Sequence, residues 1–179
     1  MIAKEVCECF ANALKDEKNG KKHKGLLVTA PDNKGAQEYV LKAKTNLKLC
    51  HLFKEQNFDY KIPEEWFYTL YYCALAILAK FGVESRSQRC TAVFIRYVKD
   101  KKLIEYSDEF IDRIRVYREK EGKSDVDERE TARYSSSLKS EAVETEFGRM
   151  DALCKRAIDE CERIVFSTSK FKVPIELLE

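Results

Sequence analysis

Residues 63–82, reading PEEWFYTLYYCALAILAKFG, constrain the fold more than any other stretch. Across residues 66–79 only Thr69 lacks an apolar or aromatic body. A surface helix shows one apolar stripe and one polar face, whereas a helix apolar nearly all round is buried by its neighbours. This segment is therefore the expected axis on which other helices pack. A membrane span needs about 18 or more clean apolar residues, and this run is shorter, with Glu64, Glu65 and Lys80 at its ends. Pro63 suits the first helical position, where a missing N–H costs nothing, and the two glutamates complement the helix dipole. Gly82 supplies the stop.

The rest of the chain reads as helices around that axis. Ile2, Val6, Phe10, Ala13 and Leu14 fall at helical spacing and predict a short amphipathic helix over residues 2–18. Residues 19–35 collect Gly20, Gly25, Pro31 and Gly35 among lysines, which reads as a linker without strands. A second helix is expected from about Ala36 to Gln56, with Val40, Ala43, Leu47 and Cys50 inward. Ser85 with Gln88 fits a capping box opening a fourth helix that buries Cys90, Val93, Phe94, Tyr97 and Val98. Ser107 before Asp108 and Glu109 is the expected cap of a fifth helix carrying Phe110, Ile111 and Ile114. Residues 121–137 read as a polar loop. A last helix follows from about Leu138 to Phe166, with Val143, Phe147, Met150, Cys154, Ala157, Cys161 and Ile164 on its stripe. The expected organisation is an N-terminal helix and basic linker over residues 1–35, a helical body over 36–167 and a tail over 168–179.

Composition excludes several classes of function. The chain has 179 residues, enough for one domain with a real core, and 33 basic against 31 acidic side chains. A net charge of +2 implies no partner by itself, so any nucleic-acid surface must be a local patch. Residues 1–10 lack the apolar run of a signal peptide, and seven cysteines at mostly core-like positions read as reduced thiols of a cytoplasmic protein. A tetrahedral zinc site needs four ligands, usually from two pairs. Cys7 and Cys9 point about 200° apart on a helix, while His23 and His51 stand alone, so no metal and no cofactor is expected. With two histidines and no glycine-rich phosphate loop, a nucleophile–base pair is equally unsupported.

Two basic clusters remain. Residues 85–102 hold six Lys or Arg against one acid, and Arg86, Arg89, Arg96 and Lys99 lie on one side of the fourth helix. Such a face serves phosphate contacts, a carboxylate-bearing partner, or solvent alone. The second cluster lies in DERETARYSSS, where Arg129, Arg133 and Tyr134 combine two guanidinium groups with a ring. That set holds a phosphate and stacks a base; equally, Arg129 pairs locally with Asp125 or Glu130 and Tyr134 anchors the loop.

The order WFYTLYYCALAILAKFGVESRSQR, a further helix, RETARY and a long final helix resembles the HEPN domains of prokaryotes over residues 36–167. The likeness is to the branch with an aromatic YY central helix, a glycine, a capped following helix and a later R-x-x-A-x-Y segment. It implies an all-α, four- to five-helix up-and-down bundle, here with an extra N-terminal helix. It also implies a homodimer and, often, pairing with a nucleotidyltransferase in a toxin–antitoxin system. Active members are metal-independent RNases that use an arginine followed four to six residues later by a histidine. Arg129 matches the arginine, but Tyr134 stands where the histidine belongs, no histidine follows, and Gln88 fills the slot of a second one. A phenol with an ordinary pKa near 10 is a poor general base at pH 7. The expectation is therefore a non-catalytic module that binds RNA or a nucleotide, or pairs with a nucleotidyltransferase-type protein. Two alternatives are a weak RNase built on Arg129 and Tyr134, and an oligomerising scaffold without a ligand.

Overall fold

The computed structural model describes residues 2–115 and 140–178. Within them the chain is an all-α helical bundle carrying one small two-stranded sheet. Helix α1 spans Ile2–Lys18, α2 Asn33–Glu55, α3 Ile62–Phe81, α4 Gln88–Asp100, α5 Asp108–Ile114 and α6 Glu141–Val165. No described helix is long and apolar enough to cross a membrane.

Helix α3 is the axis. Trp66, Phe67, Leu70, Cys73, Ala74, Ala76, Ile77, Leu78 and Phe81 are all buried, and α2, α4, α5 and α6 pack around them. Gly82 closes the helix in the left-handed conformation at φ 73°, which only glycine adopts without strain. Its backbone also runs close to Thr29, whose carbonyl oxygen would lie 2.6 Å from a Cβ at this position. At the other end Asp59, nearly fully buried, accepts the Ser140 N–H at 3.2 Å and so ties the start of α6 to the start of α3.

The N-terminal segment departs from the linker expectation. Leu26–Val28 forms strand β1, antiparallel to strand β2 at Val83–Ser85, with Leu26 opposite Ser85 and Val28 opposite Val83. Three residues are too few to show alternation in sequence, and the pairing partner lies beyond two helices. Val6, Cys9 and Phe10 of α1 belong to the same core cluster as α3 and α4, and Ala13 is buried, so α1 packs into the body. Leu14, expected on that stripe, is 54% exposed. Gly25 lets β1 pass against α1: an added Cβ would meet the Cys9 carbonyl oxygen at 2.2 Å.

The cysteines also depart from expectation. Cys9 and Cys90 form a disulfide joining α1 to the first turn of α4, with Cα atoms 5.9 Å apart. The other five cysteines are free thiols. The opposed directions of Cys7 and Cys9 explain why only Cys9 bonds: Cys7 faces the tail, its thiol 3.8 Å from the Glu176 carbonyl oxygen.

Two caps move as well. Helix α4 opens two residues later than Ser85, on Ser87, whose hydroxyl accepts from Cys90 N–H at 3.3 Å. Ser85 sits in β2, and its hydroxyl accepts from Thr91 at 2.8 Å. Ser107 occupies the N-cap of α5 without capping it; its N–H and hydroxyl both donate to Glu160 of α6 at 2.8 Å.

Candidate functional site

The basic side of α4 is present, but each of its four candidates meets a carboxylate. Arg86 donates to Glu84 at 2.8 Å, and Arg89 lies 3.5 Å from Glu5 of α1. Arg96 bridges Asp108 and Asp112 of α5, the latter at 2.6 Å. Lys99 shares Asp108 at 2.6 Å. The Lys99 hydrogen bond, with Arg96 beside it, holds the Asp108 carboxyl below its ordinary range. Arg96 and Lys99 thus meet on one carboxylate, whereas Arg86 and Arg89 are held by different elements. Exposed pairs of this kind contribute little to stability, but they cancel local charge. Arg129, Arg133 and Tyr134 lie outside the described residues.

The two histidines also resolve into pairs. His23, expected in a linker, is 2% exposed: its Nδ1 accepts the Gly25 N–H at 3.4 Å and its Nε2 lies 3.2 Å from Glu84. With Nδ1 accepting, the ring proton belongs on Nε2, which donates to the carboxylate. Burial works to raise the Glu84 carboxyl, but hydrogen bonds from His23 and Arg86 outweigh it and hold the group below its ordinary value. His51 meets Asp151 at 2.7 Å. No three metal-ligating side chains gather among the described residues.

A different cluster stands out on α2 and α3. Tyr39 and Tyr72 stack across the two helices with centroids 6.0 Å apart and an interplanar angle of 22°. Tyr68 continues the row beside Tyr72 at 5.7 Å and 29°. At these separations the rings are offset like tiles, and all three are partly exposed. Tyr71 lies against Phe67 at 5.6 Å, and burial pushes its phenol up despite the nearby Thr91 hydroxyl. The ammonium of Lys42 sits over the first two tiles, 5.3 Å from the Tyr39 centroid and 5.5 Å from that of Tyr72.

Carboxylates border the row. Glu84 and Asp32 act on the Tyr39 phenol and Glu65 acts on that of Tyr72, in each case adding to burial to raise the group. Glu65 is held by the Asn46 side chain of α2, and burial raises its own carboxyl. The helices present these groups at matched spacing: Tyr39, Lys42 and Asn46 on α2 face Glu65, Tyr68 and Tyr72 on α3. Both triplets follow i, i+3, i+7, the period of a single helix face. That period was the signal in the sequence, and it was obscured because α3 reads as apolar all round. Among the described residues of the predicted basic clusters, Arg86 is linked to the row through Glu84.

No family model, curated protein or solved structure matches this chain.

Proposed function

We propose that this chain is a non-catalytic helical module that acts by pairing with a protein partner through the tyrosine row of α2 and α3. The observation that carries the reading is the set of offset, partly exposed rings of Tyr39, Tyr72 and Tyr68. Tyrosine offers a large, stiff, amphipathic contact surface and is enriched at protein interfaces. The pairing of Arg86, Arg89, Arg96 and Lys99 with carboxylates favours a protein over RNA, because a polyanion is held by uncompensated positive charge. The HEPN resemblance points to a nucleotidyltransferase-type partner in a toxin–antitoxin pair, and to a homodimer of the chain itself. Both belong to the proposal.

The experiment is a photo-crosslink. A benzophenone amino acid at position 68, in the strain that naturally produces the protein, should give one discrete protein adduct that Tyr39→Glu removes. In parallel, a labelled 20-nucleotide RNA should bind no tighter than the roughly 10⁻⁴–10⁻⁶ M typical of non-specific contacts at physiological salt. Tight, salt-sensitive RNA binding with no adduct would overturn the reading in favour of an RNA-binding module.

A further inference from the structure

The tyrosine row has an electrostatic character that selects among partners. The face of an aromatic ring carries the negative lobe of its quadrupole and attracts cations within about 6 Å of the centroid. Lys42 already occupies that position over Tyr39 and Tyr72, and it makes no ion pair among the described residues. Glu84 and Asp32 act on the Tyr39 ring and Glu65 on that of Tyr72. Among the described residues Lys42 lies over the rings, Arg86 is bound to Glu84, and Lys61 acts on Glu65. The electron-rich faces of these rings, already occupied by an ammonium, favour a positive group over a phosphate.

We infer that the row is a receptor for an alkylammonium or guanidinium group, carried on a lysine or arginine side chain of the protein partner, and that Lys42 is its internal occupant in the free chain. The inference rests on the partner-pairing reading for the source of the cation, but the recognition chemistry belongs to the row alone. Lys42 is exposed and flexibly tethered, so its ammonium swings aside into water when a partner side chain enters. Asn46 keeps the Glu65 carboxyl oriented on the α2 side while this happens.

The sign of one substitution separates this mechanism from a generic sticky patch. Removing Lys42 would weaken a phosphate site, but it vacates a cation site. The probe is tetramethylammonium chloride, titrated into the full chain at constant ionic strength while the tyrosine ring signals are followed by carbon–proton correlation spectra. The neutral isostere 3,3-dimethyl-1-butanol serves as control. Saturable shifts of the Tyr39, Tyr68 and Tyr72 signals are expected with the cation and not with the alcohol. Lys42→Ala should tighten the binding about two- to fivefold, the worth of one exposed cation–ring contact. Tyr72→Leu should abolish it while the amide spectrum stays folded.

Equal responses to cation and alcohol, or weaker cation binding in a folded Lys42→Ala, would overturn the inference. The partner reading fails separately. Cation binding without a crosslinked partner leaves the receptor standing and removes the protein source. A crosslinked partner without cation binding does the reverse.

Discussion

The Cys9–Cys90 disulfide gives the sharpest prediction about stability. It closes a loop with a sequence separation of 81 residues. In the chain-entropy description, a cross-link over a loop of this length removes about 15 cal/mol/K from the unfolded ensemble, or roughly 4.5 kcal/mol at 25 °C. The native state should survive without the bond, because Val6, Phe10 and Ala13 still anchor α1 in the core. Loss of the bond therefore shifts the folding midpoint without dissolving the fold. With a urea slope of about 2 kcal/mol/M, the shift should approach 2 M. Urea unfolding followed by far-ultraviolet circular dichroism, with and without a phosphine reductant, measures it. Cys9→Ala/Cys90→Ala should match the reduced protein and ignore the reductant. Thiol titration of the denatured, unreduced chain should count five free groups out of seven cysteines. Seven titratable thiols, or coincident curves in the two redox states, would refute the reasoning.

Two further outcomes follow from local geometry and charge. Gly25→Ala drives a methyl into the Cys9 carbonyl, and Gly82→Ala combines a left-handed residue with contact on Thr29, so each should destabilise by about 1–3 kcal/mol. Gly148→Ala, in open space on α6, should instead stabilise by about 0.5–1 kcal/mol, and equal effects at all three in urea melts would refute the packing account. The second outcome concerns acid. Asp108, Glu84, Asp151 and Glu176 have carboxyl pKa values held down in the folded chain, through Lys99, through His23 and Arg86, through Lys155 and His51, and through Tyr97 respectively. A depressed folded pKa contributes stability that is complete above the unfolded value near 4 and is lost as pH falls through the folded one. Glu65, raised by burial, works in the opposite sense but stands against four. Melting temperature should therefore be level above about pH 5 and drop below pH 4, with a shallower drop in Asp108→Asn. A melting temperature that rises on going to pH 3 would contradict this.

The parts of the fold that were legible in sequence are those that a segment settles for itself. Helix α3 could be read because its apolar run, Pro63 and Gly82 need no knowledge of a partner. The inward residues of α2, α4, α5 and α6 followed from helical period in the same way. What could not be read depends on distant pairs. Three residues of β1 have no periodicity, and β2 lies on the far side of two helices. Ser85 and Ser87 are both credible caps, and the choice is made by β2, which claims Ser85 for the sheet. Ser107 is drawn away from its cap by Glu160 of the last helix. The basic side of α4 was visible, but the carboxylates that meet it come from α1, β2 and α5. A local charge count could not foresee that cancellation. Tyr68 and Tyr72 belong to the evident central helix, yet nothing in the sequence sets Tyr39 of α2 beside them.

The features that stabilise the N-terminal segment also fix one rim of the tyrosine row. Strand β2 carries Glu84 to the Tyr39 end, and it is held there from two sides. His23, buried just ahead of β1 in the chain, donates to the same carboxylate that Arg86 engages. The disulfide pins α1 to the first turn of α4, immediately after Ser85 and Ser87. Glu84 is therefore more than a surface acid. Its hydrogen bonds keep it ionised and stationary, so the field at Tyr39 is set by the fold and not by a mobile side chain. At the other end Asn46 does the same for the orientation of Glu65. A row of rings with fixed carboxylates at both ends and one mobile ammonium over the middle is preorganised for exchange of that ammonium. Helix α1 and the residues ahead of β1 thus bear on the row through their ties to the body, the Cys9–Cys90 disulfide and the His23–Glu84 hydrogen bond.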